Sequence, residues 1–198
     1  MQTRNILIVV GALLPLISSI VYIVSILRGI SKPQRTTRLL MALITGISFF
    51  ALLAAQDTSG IWLALASFIQ AVIIFWLTIK FGMSGHGALD AVCFVLCMIG
   101  LAIWLATGQS LIGLAGAIIA DFIAVVPALV KTWRLPHTES WLFYALDCVA
   151  AVFIISAGPY SGANLAYPLY ILVINAVFVF AIMRPQRASI AYQTAKLW

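Results

Sequence analysis

Residues 88–130 read ALDAVCFVLCMIGLAIWLATGQSLIGLAGAIIADFIAVVPALV, with no charged residue other than Asp90 and Asp121. A helix crossing about 30 Å of hydrocarbon needs about 20 apolar residues. A run this long is therefore two spans rather than one. The polar pair Gly108-Gln109 is the place for a tight turn, giving spans at Ala88–Thr107 and Ser110–Val130. That division sets the number of crossings for the whole chain.

Working outward, five more stretches qualify: roughly Asn5–Leu27, Thr37–Gln56, Gly60–Ile79, Trp141–Gly158 and Ala163–Met183. Turn-forming or charged residues separate them at 29–33, 57–60, 82–87, 134–139 and 158–162. Composition agrees, because the 198 residues are 64% hydrophobic and 8% charged. A water-soluble domain is about a quarter charged, and this chain lacks the residues to build such a skin. The expected class is an all-α integral membrane protein with seven transmembrane helices, forming a single membrane domain over 1–198. The first span carries one Arg before it and is followed by Arg28 and Lys32, which suits a retained helix rather than a cleaved signal.

Lysines and arginines fix the expected orientation. In a seven-span chain one side receives Arg4 alone. The other receives Arg28, Lys32, Arg35, Arg38, Lys80, Lys131, Arg134, Arg184, Arg187 and Lys196. The positive-inside rule places the richer side in the cytoplasm, with the N-terminus outside and the C-terminus inside, in the plasma (inner) membrane. The basic cluster Arg28, Lys32, Arg35 and Arg38 is accounted for by topology and anionic lipid, so no nucleic-acid role is assigned.

The chain also matches itself. The segment 69–75, IQAVIIF, pairs with 174–180, INAVFVF; Ser59-Gly60 pairs with Ser161-Gly162; and Arg28, Pro33 and Thr37 pair with Arg134, Pro136 and Ser140. This suggests a repeat over about 5–80, a linker helix over about 86–107, a second repeat over about 110–184 and a short tail, 185–198. In a 3+1+3 layout the fourth helix restores parallel orientation to the two three-helix repeats. Parallel repeats are a known transporter design, with solute bound near midplane at the repeat interface.

With that layout, residues 121–134, DFIAVVPALVKTWR, followed by Pro136 and Glu139-Ser140, resemble a PQ-loop segment. The chain is similar to the SWEET and PQ-loop superfamily, which includes the Pnu-type vitamin-precursor transporters. Residue 128 is Ala where the namesake glutamine stands, and Tyr22 occupies the place of the first-half proline. The resemblance implies a small-molecule transporter, trimeric in assembly. It also implies that Asn175 is a pocket asparagine, with Gln70 in the matching place of the third span.

Ionisable groups inside a bilayer are functional candidates by default. Asp121 lies ten residues before Lys131 and Asp147 eight after Glu139, so about 15 and 12 Å from the cytoplasmic boundary at 1.5 Å per residue. They could share a cavity as a proton relay or cation site, or be two unrelated acids bonded to neighbouring helices. The equivalent positions in the first half hold Leu16 and Ile44. Asp90, near the start of the fourth span, is either a helix-end charge or a third member of that set. Gln70 and Asn175 either bind helices together or line a pocket. Tyr22, Tyr144, Trp141 and Tyr170 either stack on solute or pack. Trp62, Trp133 and Tyr160 read as interfacial anchors. Pro15, Pro127 and Pro168 permit kinks, with Pro127 the expected hinge.

Catalysis has little support. There is no HExxH, Walker loop or GxSxG, and His86 and His137 lack metal partners at useful spacing. No metal or cofactor is expected. Cys93, Cys97 and Cys148 read as small apolar residues. A retinal protein needs a lysine within Ala163–Met183, and none occurs. Two readings remain: a carrier of a small polar solute, either a facilitator or linked to protons or cations, and a non-transporting receptor or adaptor of the same architecture.

Overall fold

The computed structural model describes residues 2–33, 35–56, 60–82, 88–107, 110–158 and 162–184. Among them the chain forms seven α-helices and no strand: α1 (Gln2–Leu27), α2 (Arg35–Ala54), α3 (Gly60–Phe81), α4 (Ala88–Thr107), α5 (Ser110–Arg134), α6 (Trp141–Ala157) and α7 (Gly162–Met183). The break at 108–109 falls between α4 and α5, although Gly108 and Gln109 lie outside the described residues. So do Asp57, Ser59, His86, Tyr160, Ser161, Arg187, Lys196 and the side chains of Asp90, Cys93 and Cys97.

Local chemistry sets the helix ends. At Gly29, φ is +71°; Gly29 N–H donates to Ile26 O at 2.9 Å and Ile30 N–H to Ser25 O at 3.0 Å. This is the paired bonding of a glycine-terminated helix. Helix α5 continues one turn past the expected Val130, carrying Lys131 and Arg134 in its last turn, where cations complement the helix dipole. It stops at Leu135, which precedes Pro136 and has an extended φ of −132°. A 3-10 turn at Pro136–Thr138 then leads into α6.

Helices α1, α2, α3, α5 and α7 are long and apolar enough to cross a membrane; α6, at 17 residues, is shorter. The outer surface is apolar as well: Ile20, Trp76, Ile119, Phe180 and Met183 are each more than 60% exposed. In water such a surface would aggregate, whereas hydrocarbon matches it. The chain is a multi-pass helical membrane protein.

The helix contacts follow one pattern twice. Helix α3 packs on both α1 and α2, and α7 joins α5 and α6 in the same way. Helix α1 then lies against α6 and α2 against α5, closing a six-helix ring, while α4 packs on α5 and α2. The α1–α6 seam is tight because residue 11 is glycine. A Cβ there would sit 2.7 Å from Ile154 Cγ1 and 3.1 Å from the Ala150 carbonyl.

Candidate functional site

The ring surrounds a cavity of about 90 Å³ with polar groups set in its wall. Gln70 reaches it from α3, Asp121 from α5, Asp147 from α6 and Asn175 from α7; α2 contributes Arg38 and Thr45. The rest of the wall is mainly apolar, including Phe143, Tyr144 and Phe178. Each of the four polar groups is at least nine-tenths buried, so each must be satisfied by protein or by solute.

Proline chemistry organises one side of the cavity. Pro15, inside α1, lacks an N–H and so removes one rung of the helix ladder. Its own carbonyl is crowded with donors: Ser18 Oγ at 3.0 Å, Ser19 Oγ at 2.9 Å and Gln70 Nε2 at 2.8 Å. Ser18 Oγ lies 2.7 Å from Asp147 Oδ1, and Gln70 Nε2 lies 2.7 Å from Ser18 Oγ and 3.3 Å from Asp147 Oδ1. One amide and one hydroxyl thus tie α1, α3 and α6 together. Across the cavity Tyr170 Oη donates to Asp121 Oδ2. Asn175 donates to the Ile171 carbonyl of its own helix at 2.8 Å, which leaves its side-chain oxygen as the acceptor on the cavity side.

Where α1 and α5 end and α2 and α6 begin, a charged cluster closes the cavity. Arg38 Nη2 donates to Tyr22 Oη at 2.5 Å, and its guanidinium lies 4.7 Å from the centre of the Tyr22 ring. Tyr22 Oη donates to Glu139 Oε2 at 2.9 Å, and Tyr144 Oη approaches the same oxygen at 3.4 Å. Lys131 Nζ lies 3.0 Å from Glu139 Oε1 and donates to the Lys32 carbonyl at 2.8 Å. Rings pack beneath: Tyr144 stacks on Phe178 and Tyr22 lies tilted against Phe143, each with centroids 4.4 Å apart. At the opposite end the seal is apolar and includes Leu52, Leu63, Leu114, Ile154 and Tyr167.

Asp121 and Asp147 line one cavity, and each is also bonded to a side chain of a neighbouring helix. Gln70 and Asn175 face the same space. Tyr144 lines it, while Tyr170 reaches it through Asp121. Tyr22 is fully buried behind the wall, in the charged cluster. Trp141 is 48% exposed on the outer surface, so the expectation that it stacks on solute is corrected: at the first position of α6 its side chain points away from the ring. Arg38, read as one of the basic cluster set by topology and anionic lipid, also lines the cavity. The expected span began at Thr37, whereas α2 begins at Arg35, which places residue 38 one turn inside the helix and facing inward. Glu139, read only as a boundary marker, is 8% exposed because the Pro136–Thr138 turn folds it back beneath Tyr22. Cys148 is partly buried, with Sγ 3.7 Å from the Leu172 carbonyl. Among the described residues no group of three His, Cys, Asp or Glu could hold a metal. Comparison of the chain with protein-family models, with curated proteins and with solved structures finds no match.

Proposed function

We propose that the protein is a carrier of a small polar solute working by alternating access, linked to protons or cations. The observation that carries the reading is the convergence of Gln70, Asp121, Asp147 and Asn175 on one cavity inside the helix ring. Groups this polar are costly inside a bilayer unless they do something there. The two closures support the reading, since a carrier must open one end of its site while sealing the other. Separating the Tyr22–Glu139–Lys131 cluster would open one path; parting the Leu52–Leu63–Ile154 cluster would open the other.

The repeated contact pattern supports a 3+1+3 arrangement, with α1–α3 and α5–α7 as parallel halves and α4 as the linker. Their rocking would pivot on prolines, with Pro127 in α5 as the hinge. Tyr144 and Tyr170 would contact solute. The charged cluster would lie on the cytoplasmic face of the plasma membrane, following the lysine and arginine distribution. The test is flux. Purified protein is screened by thermal shift against sugars, vitamins, amino acids and amines at two pH values, and the hits are followed as uptake into proteoliposomes. The expected result is saturable uptake that Asn175→Ala and Asp147→Asn reduce at least tenfold. Binding without flux, or flux unchanged in both variants, would sink the carrier reading.

A further inference from the structure

The polar groups in the cavity wall have few hydrogens left to give. Gln70 Nε2 lies 2.8 Å from the Pro15 carbonyl and 2.7 Å from Ser18 Oγ, and Asn175 Nδ2 donates to the Ile171 carbonyl at 2.8 Å. A carbonyl partner fixes which end of each amide is the nitrogen. Thr45 Oγ1 gives its hydrogen to the Met41 carbonyl at 2.7 Å, and Tyr170 gives its own to Asp121 Oδ2. What these residues have left to offer is oxygen: the amide oxygens of Gln70 and Asn175 and the second carboxylate oxygen of Asp121. A solute that meets them must bring the donors.

Charge points the same way. Among the described residues, the carboxylates and basic groups set inside the ring are Arg38, Lys131, Asp121, Glu139 and Asp147. Lys131 and Glu139 pair at 3.0 Å, which leaves Arg38 against Asp121 and Asp147. One negative charge is in excess, and an uncompensated charge in a low-dielectric interior is costly. A monocation balances it, whereas a zwitterion, an anion or a neutral polyol does not. Size narrows the choice. The cavity is about 90 Å³, against a water's share of liquid volume of about 30 Å³. That suits a charged head on a short carbon chain, not a hexose. Phe143, Tyr144 and Phe178 line the wall, giving apolar surface for the chain and aromatic rings that also attract a cation.

We infer that the main cavity takes a small primary ammonium as its solute, with the N–H groups on Asp121, Asn175 and Gln70 and the alkyl chain against Phe143, Tyr144 and Phe178. The inference rests on the carrier reading and names the solute class of the same site, but binding can be measured without flux.

The experiment measures the unfolding temperature of the purified full chain at neutral pH as n-propylammonium chloride replaces sodium chloride at constant ionic strength. Propylammonium is expected to raise the midpoint saturably, as a ligand of the folded state must. Tetramethylammonium has the same charge without an N–H, and alanine has the ammonium with a carboxylate beside it. Both should need at least tenfold higher concentrations, and n-propanol and propionate should give no saturable rise. Asp121→Asn should move half-saturation to at least tenfold higher propylammonium. Tyr170→Phe supplies the opposite sign: it keeps the ring and returns Asp121 Oδ2 to the solute, so half-saturation should fall. A damaged fold would not give that change, so the inference stays testable if Asp121→Asn fails to fold. No response to propylammonium, an equal response to tetramethylammonium, a stronger response to alanine, or weaker binding in Tyr170→Phe overturns it. Propylammonium binding without uptake into proteoliposomes would leave the ligand class standing and remove the carrier; saturable uptake of another solute with no propylammonium response would do the reverse.

Discussion

Tyr22 and Glu139, 117 residues apart in the chain, meet with the phenolic hydroxyl 2.9 Å from the carboxylate. The contact fastens the last turns of α1 to the approach of α6, and Arg38 bonds the same hydroxyl from α2. Tyr22→Phe deletes both bonds while keeping the ring against Phe143. The expected outcome is a loosened closure at this end. A single cysteine replacing Ala71, which lines the cavity, should react with a thiol reagent several-fold faster from the Lys131 side in the Tyr22→Phe background, with Cys93, Cys97 and Cys148 replaced. Unchanged reactivity would show that the bond does not hold the cavity shut.

The Lys131–Glu139 pair should respond unequally to loss of its two partners. Lys131→Met leaves a carboxylate whose side chain is 4% exposed without its cation, a change that costs about 3 kcal/mol in buried pairs. Glu139→Gln keeps an oxygen to accept from Tyr22 and Tyr144 and removes the charge, so its cost should be nearer about 1 kcal/mol. Unfolding in mixed micelles measures both. A Glu139→Gln protein less stable than Lys131→Met would mean that the carboxylate is held by Tyr22 and Arg38 rather than by the lysine.

The helices were legible in the sequence because hydrocarbon imposes one simple demand, length without charge, and 108–109 interrupts the longest run in the way that demand requires. The polar cavity was legible in part for a related reason: Gln70, Asp121, Asp147 and Asn175 stand out against apolar neighbours. What stayed hidden were contacts that depend on where a helix starts or how a loop folds back. Arg38 faces inward because α2 begins three residues earlier, and Glu139 is buried because a 3-10 turn returns it. Ser18 carries no signal of its own. Small hydroxyls in apolar helices commonly bond their own backbone, and only the packing of neighbouring helices makes partners of Ser18, Gln70 and Asp147.

Orientation can be read directly from two exposed residues at opposite ends of α2. Gln56 follows the helix in a left-handed conformation, φ +53°, and Arg35 opens it. In a background without native cysteines, Gln56→Cys should label in intact cells with a membrane-impermeant thiol reagent. Arg35→Cys should label only after permeabilisation. The opposite pattern would invert the chain and set the charged cluster on the outer face.

The Ser18–Gln70–Asp147 contact makes the most specific energetic prediction. Gln70→Met conserves volume and removes the donors to the Pro15 carbonyl, to Ser18 and to Asp147. Hydrogen bonds between membrane helices are individually modest, averaging about 0.6 kcal/mol, so three together should cost about 1–2 kcal/mol, and Ser18→Ala rather less. Because Ser18 and Gln70 both approach Asp147 Oδ1 and each other, the double variant should be less destabilised than the sum of the singles, by about 0.5 kcal/mol or more. Strict additivity would mean that the two side chains act independently. A neutral Gln70→Met would mean that the amide serves packing alone, leaving Asp147 to be held by Ser18. Solute uptake by the same variants separates architecture from function. If Gln70 meets solute as well as structure, uptake should fall further than the change in stability explains, and Ser18→Ala, whose residue sits behind the cavity wall, should not show that excess loss.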